Sequence, residues 1–133
     1  MKNKILVVDD DPALRGVLVS KVKSLGYDVI EATNGDQAIE VFKKESPDLV
    51  LLDIVMPSKS GFEVLEEIKL KLKSKVPVII LSNLSESQDI ETGKNLGAVD
   101  YITKSNITLK DIMVKISKAL EANEKTGPKH EKI

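Results

Sequence analysis

The sequence has no cysteine, which excludes disulfide cross-links and thiolate chemistry and fits a reducing compartment. Aromatic residues make up 3% of the chain, too few to favour a flavin site. Neither sign of charge dominates: 20 lysines and arginines stand against 21 aspartates and glutamates, for a net charge of −1. That balance, with no basic stripe, provides no electrostatic footprint for direct nucleic-acid binding. No apolar run is long enough for a membrane span or a signal peptide. Met1-Lys2-Asn3-Lys4 leads straight into a strand pattern, so the expected location is the cytoplasm. There is no glycine-rich phosphate loop, and Gly35, Gly61 and Gly97 read as turn or cap glycines. The sole histidine, His130, lies in a polar tail and is not expected to be a ligand.

What is present is a chain of 133 residues, 41% hydrophobic and 31% charged, suited to one domain. Strand and helix patterns alternate five times without an internal repeat. Short Val/Ile/Leu runs at Ile5–Val8, Leu49–Leu52 and Val78–Leu81 read as strands buried on both faces, with shorter strands at Asp28–Glu31 and Val99–Ile102. Helix starts follow them. Asp11-Pro12 opens a helix that Gly26 stops, and Asn34 with Gln37 opens a second that ends near Glu45. Ser60 with Glu63 forms a capping box ahead of Phe62, Val64, Leu65, Ile68 and Leu72 at helical spacing. Ser85 with Gln88 caps a fourth helix that stops at Leu96-Gly97, and Thr108 with Asp111 caps a fifth. Residues 1–121 read as the folded domain and 122–133 as a polar, disordered tail. Five βα units of this length imply an α/β doubly wound parallel sheet, since a barrel needs about 250 residues.

The carboxyl ends of the strands carry the chemistry. Asp9 and Asp10 follow the first strand, Asp53 the third, Ser82 the fourth, and Lys104 lies just past the fifth. In an open parallel sheet these ends form the ligand-binding rim. Two carboxylates about 4 Å apart repel by roughly 4 kcal/mol at an effective dielectric near 20. A hard divalent cation compensates for that, and Mg²⁺ suits Asp10 and Asp53 with a main-chain carbonyl just after Asp53, leaving Asp9 to act through water. A free Asp53 oxygen is then a candidate nucleophile for a phosphoryl group, with Lys104 and Ser82 placed to receive its oxygens. Taken singly, each residue has a plainer role: Asp11 as an N-cap, Ser82 as a turn residue, Lys104 as a solvated lysine, Tyr101 as an edge-strand aromatic. The lysines at 69, 71, 73 and 75 read as a solvated helix end favourable to the dipole, or as a surface for an acidic partner.

Val7-Val8-Asp9-Asp10-Asp11, Leu52-Asp53-Ile54-Val55-Met56-Pro57 with Ser60-Gly61, Ser82, and Tyr101-Ile102-Thr103-Lys104 together resemble the receiver domain of two-component response regulators. The resemblance covers residues 4 to about 121. It implies a flavodoxin-like fold of strand order 2-1-3-4-5 with five helices on two faces. It also implies a Mg²⁺-dependent phosphoacceptor at Asp53, with Asp9, Asp10 and the Val55 carbonyl completing the metal site. Ser82 and Lys104 would hold the phosphoryl group, and Tyr101 would be a switch residue coupled to Ser82.

The implied partner is a sensor histidine kinase or a histidine phosphotransfer protein, and the surface of helix 4, strand 5 and helix 5 would change or form a homodimer. The expected protein is a signalling switch rather than an enzyme. Alternatives are a degenerate receiver that binds partners without phosphorylation, an aspartyl-phosphate phosphatase, and a flavodoxin-like electron carrier. The phosphatase reading suffers because such enzymes want an acid two residues after the nucleophile, where this chain has Val55. Two departures from the family pattern stand out. Ser105 replaces the usual proline after Lys104, which puts the reach of Lys104 in question. Val55 and Leu84 are apolar where the hydrolytic water would approach, so a long-lived phosphoryl group is expected.

Overall fold

The structure, a computed structural model, describes residues 3–82 and 87–126; the side chains of residues 82, 87, 88, 106 and 124–126 lie outside the description. Five strands, β1 (Lys4–Val8), β2 (Asp28–Ala32), β3 (Leu49–Asp53), β4 (Val78–Ser82) and β5 (Asp100–Thr103), form one parallel sheet in the order β2-β1-β3-β4-β5. The helices are α1 (Pro12–Ser24), α2 (Gly35–Glu45), α3 (Gly61–Glu66), α4 (Ser87–Asn95) and α5 (Leu109–Thr126). This is the flavodoxin-like arrangement that the pattern and the resemblance implied.

Side chains alternate across a strand, and that alternation builds two cores. Leu6 and Val8 of β1, with Val50 and Leu52 of β3, face Ala38, Ile39 and Phe42 of α2 and Val64, Leu65 and Ile68 of the α3 region. Ile5, Val7, Leu49 and Leu51 face the other way, onto Leu18 and Val22 of α1 and Ile112 and Ile116 of α5. Both faces of β1 and β3 are thus covered, which is why these strands read as unbroken apolar runs. Each fully buried aliphatic side chain contributes about 1.5–3 kcal/mol.

The caps form as the sequence suggests. Asp11 accepts from Ala13 N, Asn34 from Gln37 N, and Thr108 Oγ1 from Asp111 N. Ser60 and Glu63 make the reciprocal capping box. Ser85, expected to cap α4, lies outside the described residues, as do Leu84 and His130.

Three boundaries differ from the sequence reading. The third helix is not uniform: after Glu66 it widens into a π-turn over Glu67–Lys71, where Leu72 N donates to Glu67 O at 2.9 Å. Lys69 accompanies the widening, its half-buried ammonium donating to Ser74 O at 3.3 Å and Val76 O at 2.5 Å. A 3.6-residue apolar period does not reveal one inserted residue. β5 begins at Asp100 rather than Val99; the Asp100 carboxylate accepts from Tyr101 N and pairs with Lys115 at 3.6 Å, so an acid is tolerated in the edge strand. α5 continues to Thr126, past the expected end at residue 121.

Gly61 has a packing reason beyond its cap position. A Cβ there would lie 2.1 Å from the Asp53 carbonyl oxygen and 2.7 Å from Ile54 Cα, and Gly61 N donates to Ile54 O at 2.7 Å. Ser60→Ala, which removes the cap, is expected to lower unfolding free energy by about 1 kcal/mol. Gly61→Ala is expected to cost more than about 2 kcal/mol, because backbone and not a flexible side chain must give way. Urea denaturation of the two variants checks the ranking.

Candidate functional site

The strand order puts β1 beside β3, with Val8 opposite Leu52. Asp9 and Asp53, the residues that follow that pair, therefore emerge side by side at the carboxyl rim. Asp9 is fully buried and Asp53 is 1% exposed, whereas Asp10 is exposed. One oxygen from each of Asp9, Asp10 and Asp53 lies within 4.8 Å of the others. Asp53 Oδ2 is buried and meets no hydrogen-bond donor among the described residues, and the buried Asp9 Oδ2 has only a long contact to the Lys104 ammonium. Buried acceptors without donors are rare and costly, at about 1–3 kcal/mol each and more when charged.

Lys104 partly answers that charge. Its ammonium lies 2.8 Å from Asp53 Oδ1 and 3.5 Å from Asp9 Oδ2. The missing proline does not prevent this. There is no cis peptide bond among the described residues, and Lys104–Asn106 forms a single 3₁₀ turn that directs the lysine over the rim. Burial lowers the Lys104 pKa, but its hydrogen bond to Asp53 and the charges of Asp53 and Asp9 outweigh burial, and the net shift is upward. For Asp53, burial is the largest influence and the Asp9 charge adds to it, while the Lys104 hydrogen bond and charge and the Val55 amide oppose. The carboxyl is pushed up from 3.8 to about 6. Val55 N donates to Asp53 Oδ1 at 3.2 Å, which turns the chain just after the acid.

The other expected residues are placed as follows. Ser82 closes β4 opposite Thr103, next to the Asp53 strand, and its side chain lies outside the description. Tyr101 is half-buried on β5, packed against the core under α2 and α3, with the Lys115 ammonium 4.5 Å and the Lys94 ammonium 5.9 Å from its ring centroid. Lys115 also donates to the Tyr101 carbonyl. Val55 is 73% exposed.

Two residues at the rim have contacts that the sequence reading did not give. From sequence Gly61 reads as a cap glycine and as part of the family motif, not as a close neighbour of the Asp53 carbonyl. Arg15, whose Nη1 donates to the Asp9 carbonyl at 2.9 Å, looks from sequence like any polar residue of α1. Its one signal is a position six residues after Asp9, a single helical turn beyond the Asp11 cap.

Residues 5–117 match the response regulator receiver domain family. The chain belongs to that family. It is 47% identical over 103 residues, 77% of its length, to the probable transcriptional regulator ycf27 of Porphyridium aerugineum, and spans 42% of that relative. The ycf27 protein of Cyanophora paradoxa is 42% identical over the same length. Among solved structures, a CheY-like receiver domain protein from Methanospirillum hungatei superposes with a TM-score of 0.88 at 29% identity, covering 96% of this chain and 100% of that one. The BeF3-activated receiver domain of Klebsiella pneumoniae RstA gives 0.81 at 31% identity, covering 89% of this chain and 98% of that one. The fold and membership of the two-component response regulators follow: this receiver is a signalling domain. No helix among the described residues is long and apolar enough to cross a membrane.

The raised Asp53 pKa has a definite consequence for stability. The folded state holds the Asp53 proton more tightly than the unfolded state, so stability falls as pH rises from about 4 through 6 and levels off above. Asp53→Asn, which cannot ionise, is expected to be more stable than the parent at pH 7.5 without divalent cations, by about 1–2 kcal/mol once the weakened hold on Lys104 is set against the gain. The difference should close as pH falls toward 4, which denaturation midpoints across that range will show.

Proposed function

We propose that this receiver is a phosphorylation-activated switch, with Asp53 as phosphoacceptor. The observation that carries the reading is the pairing of Asp53 and Lys104 at 2.8 Å inside a set of three carboxylates, of which Asp53 keeps a buried oxygen without a donor. The donor set consists of hard oxygens only, which fits Mg²⁺. Asp10, Asp53 and the Val55 carbonyl would hold the ion directly and Asp9 through water. When bound, it would relieve the carboxylate repulsion and neutralise charge on the phosphoryl oxygens.

The donor is a phosphohistidine on a sensor kinase or phosphotransfer protein. An Asp53 oxygen attacks phosphorus, the new O–P bond forms as the N–P bond breaks, and the imidazole nitrogen keeps the electron pair. Lys104 leaves Asp53 Oδ1 for a phosphoryl oxygen, and the Ser82 hydroxyl takes another. Tyr101 then moves inward, and the surface of α4, β5 and α5 shifts toward a second, pre-existing arrangement that favours a downstream partner or a second copy of the chain. A cytoplasmic location fits such a donor. The ycf27 relatives are described as transcriptional regulators; the residues matched here carry the switch, and any output on DNA would belong to another part or another protein.

Incubation with a small acyl phosphate and Mg²⁺, followed by intact mass measurement, tests the reading. A gain of about 80 Da that is lost in Asp53→Asn supports it. Continuous turnover would indicate a phosphatase instead, and no adduct would indicate a receiver that works without phosphorylation. Mg²⁺ is also expected to raise the melting temperature of the parent protein, by mass action on the folded state.

Val55 lies exposed beside the nucleophile, so it shields the phosphoryl group from in-line attack by water. Val55→Asn combined with Leu84→Glu is expected to shorten the phosphoryl half-life several-fold. A half-life left unchanged would remove the shielding role.

A further inference from the structure

The acid run Asp9-Asp10-Asp11 is held by more than its own turn. Asp9 N donates to Ala32 O at 3.2 Å, which carries the β1–β2 ladder one step past Val8. Beyond Ala32 the chain turns into α2 at its Asn34 cap, and the Asp9 carbonyl takes its donor from Arg15 Nη1 at 2.9 Å instead of from the sheet. Arg15 Nε donates in a different direction, to Glu31 Oε1 at 3.0 Å, at the end of β2. The Arg15 side chain is only 17% exposed, and its guanidinium bridges the ends of two strands.

Three bonds then enclose the acid run. Asp11 N donates to Asp9 Oδ1 at 2.9 Å, Arg15 N to Asp11 O at 2.9 Å, and Arg15 Nη1 to the Asp9 carbonyl. Asp10 is the exposed residue between the two pinned ones. The Asp9–Asp10 peptide plane is fixed by a rigid, planar donor whose other edge is anchored on Glu31. A lysine could not hold both ends, because an ammonium is a point charge without the fork.

We infer that Arg15 is a positioning residue for the metal site: by holding the Asp9 carbonyl it sets the direction in which Asp10 presents its carboxylate to the Asp53 rim. Through that it sets Mg²⁺ affinity. This rests on the metal and phosphoacceptor reading above and deepens it. Electrostatics alone argues for the opposite sign. Removing a cation beside a cation site should strengthen Mg²⁺ binding, whereas loss of positioning should weaken it.

The test is a Mg²⁺ titration of the parent, Arg15→Ala, Arg15→Lys and Glu31→Gln, followed by the amide chemical shifts of Asp10 and Asp11. Folding of each variant is checked by the amide shifts of β3 and α5. Arg15→Ala is expected to weaken Mg²⁺ binding about tenfold, the lower end of what outer-shell partners contribute. Arg15→Lys, which keeps charge but not the fork, and Glu31→Gln, which loosens the anchor, should fall between it and the parent. The initial rate with acyl phosphate should drop in parallel at low Mg²⁺ and recover at saturating Mg²⁺, which a general loss of structure would not allow. Should Arg15→Ala fail to fold, the Lys and Gln variants carry the same comparison. Unchanged or tighter Mg²⁺ binding in the folded variants would overturn the inference. A parent protein that binds no Mg²⁺ and takes no phosphoryl group would overturn the function proposed above, not this one alone.

Discussion

The Lys104 ammonium held between Asp53 and Asp9 is the interaction on which the rim depends. Two buried carboxylates cannot sit side by side without positive charge, and one lysine neutralises only part of their demand. The remainder shows in the donorless Asp53 Oδ2, in the long 3.5 Å contact that is all Asp9 Oδ2 receives, and in the raised Asp53 pKa. The site is therefore under electrostatic tension in the resting protein, and a divalent cation or a phosphoryl group that engages Lys104 would redistribute it. Preorganised charge of this kind is how phosphoryl transfer is assisted when the protein supplies little covalent chemistry of its own.

The scaffold around that pair is stiff where precision is needed. β1 and β3 are buried on both faces by two separate cores, so the strand ends carrying Asp9 and Asp53 have little freedom. The loop after Asp53 is closed by the Gly61–Ile54 bond and the capping box of Ser60 and Glu63. Lys59 adds a bridge to Asp36 of α2 at 3.4 Å and Glu67 at 3.2 Å, tying that loop to two helices. The opposite wall, around Tyr101, is built differently. It is a half-buried ring on an edge strand beside two lysines, an arrangement with room for a second state.

Much of this was legible in the chain. The unbroken apolar runs at residues 5–8, 49–52 and 78–81 could only be strands covered on both sides, and acids or hydroxyls at their ends stood out against them. The caps were legible because Asp11, Asn34, Ser60 and Thr108 each act on an amide two or three residues away. The π-turn, the late end of α5 and the start of β5 were not. The first and last depend on contacts outside the local pattern, Lys69 with the carbonyls of the segment before β4 and Asp100 with Lys115, while the polar residues 122–126 gave no apolar period to extend α5.

The residue types at the rim and their order along the chain were decided by the sequence alone, because buried strands announce themselves by composition and caps by local spacing. Which carboxylate lies within reach of which cation was decided by the tertiary structure. Asp9, Asp53 and Lys104 are far apart in the chain, and only the order of strands brings them within 4 Å of shared charge. The grip of Arg15 on Asp9 belongs to the same class. It is a short link in sequence whose meaning comes from the place where β2 stops and leaves a carbonyl without a partner in the sheet.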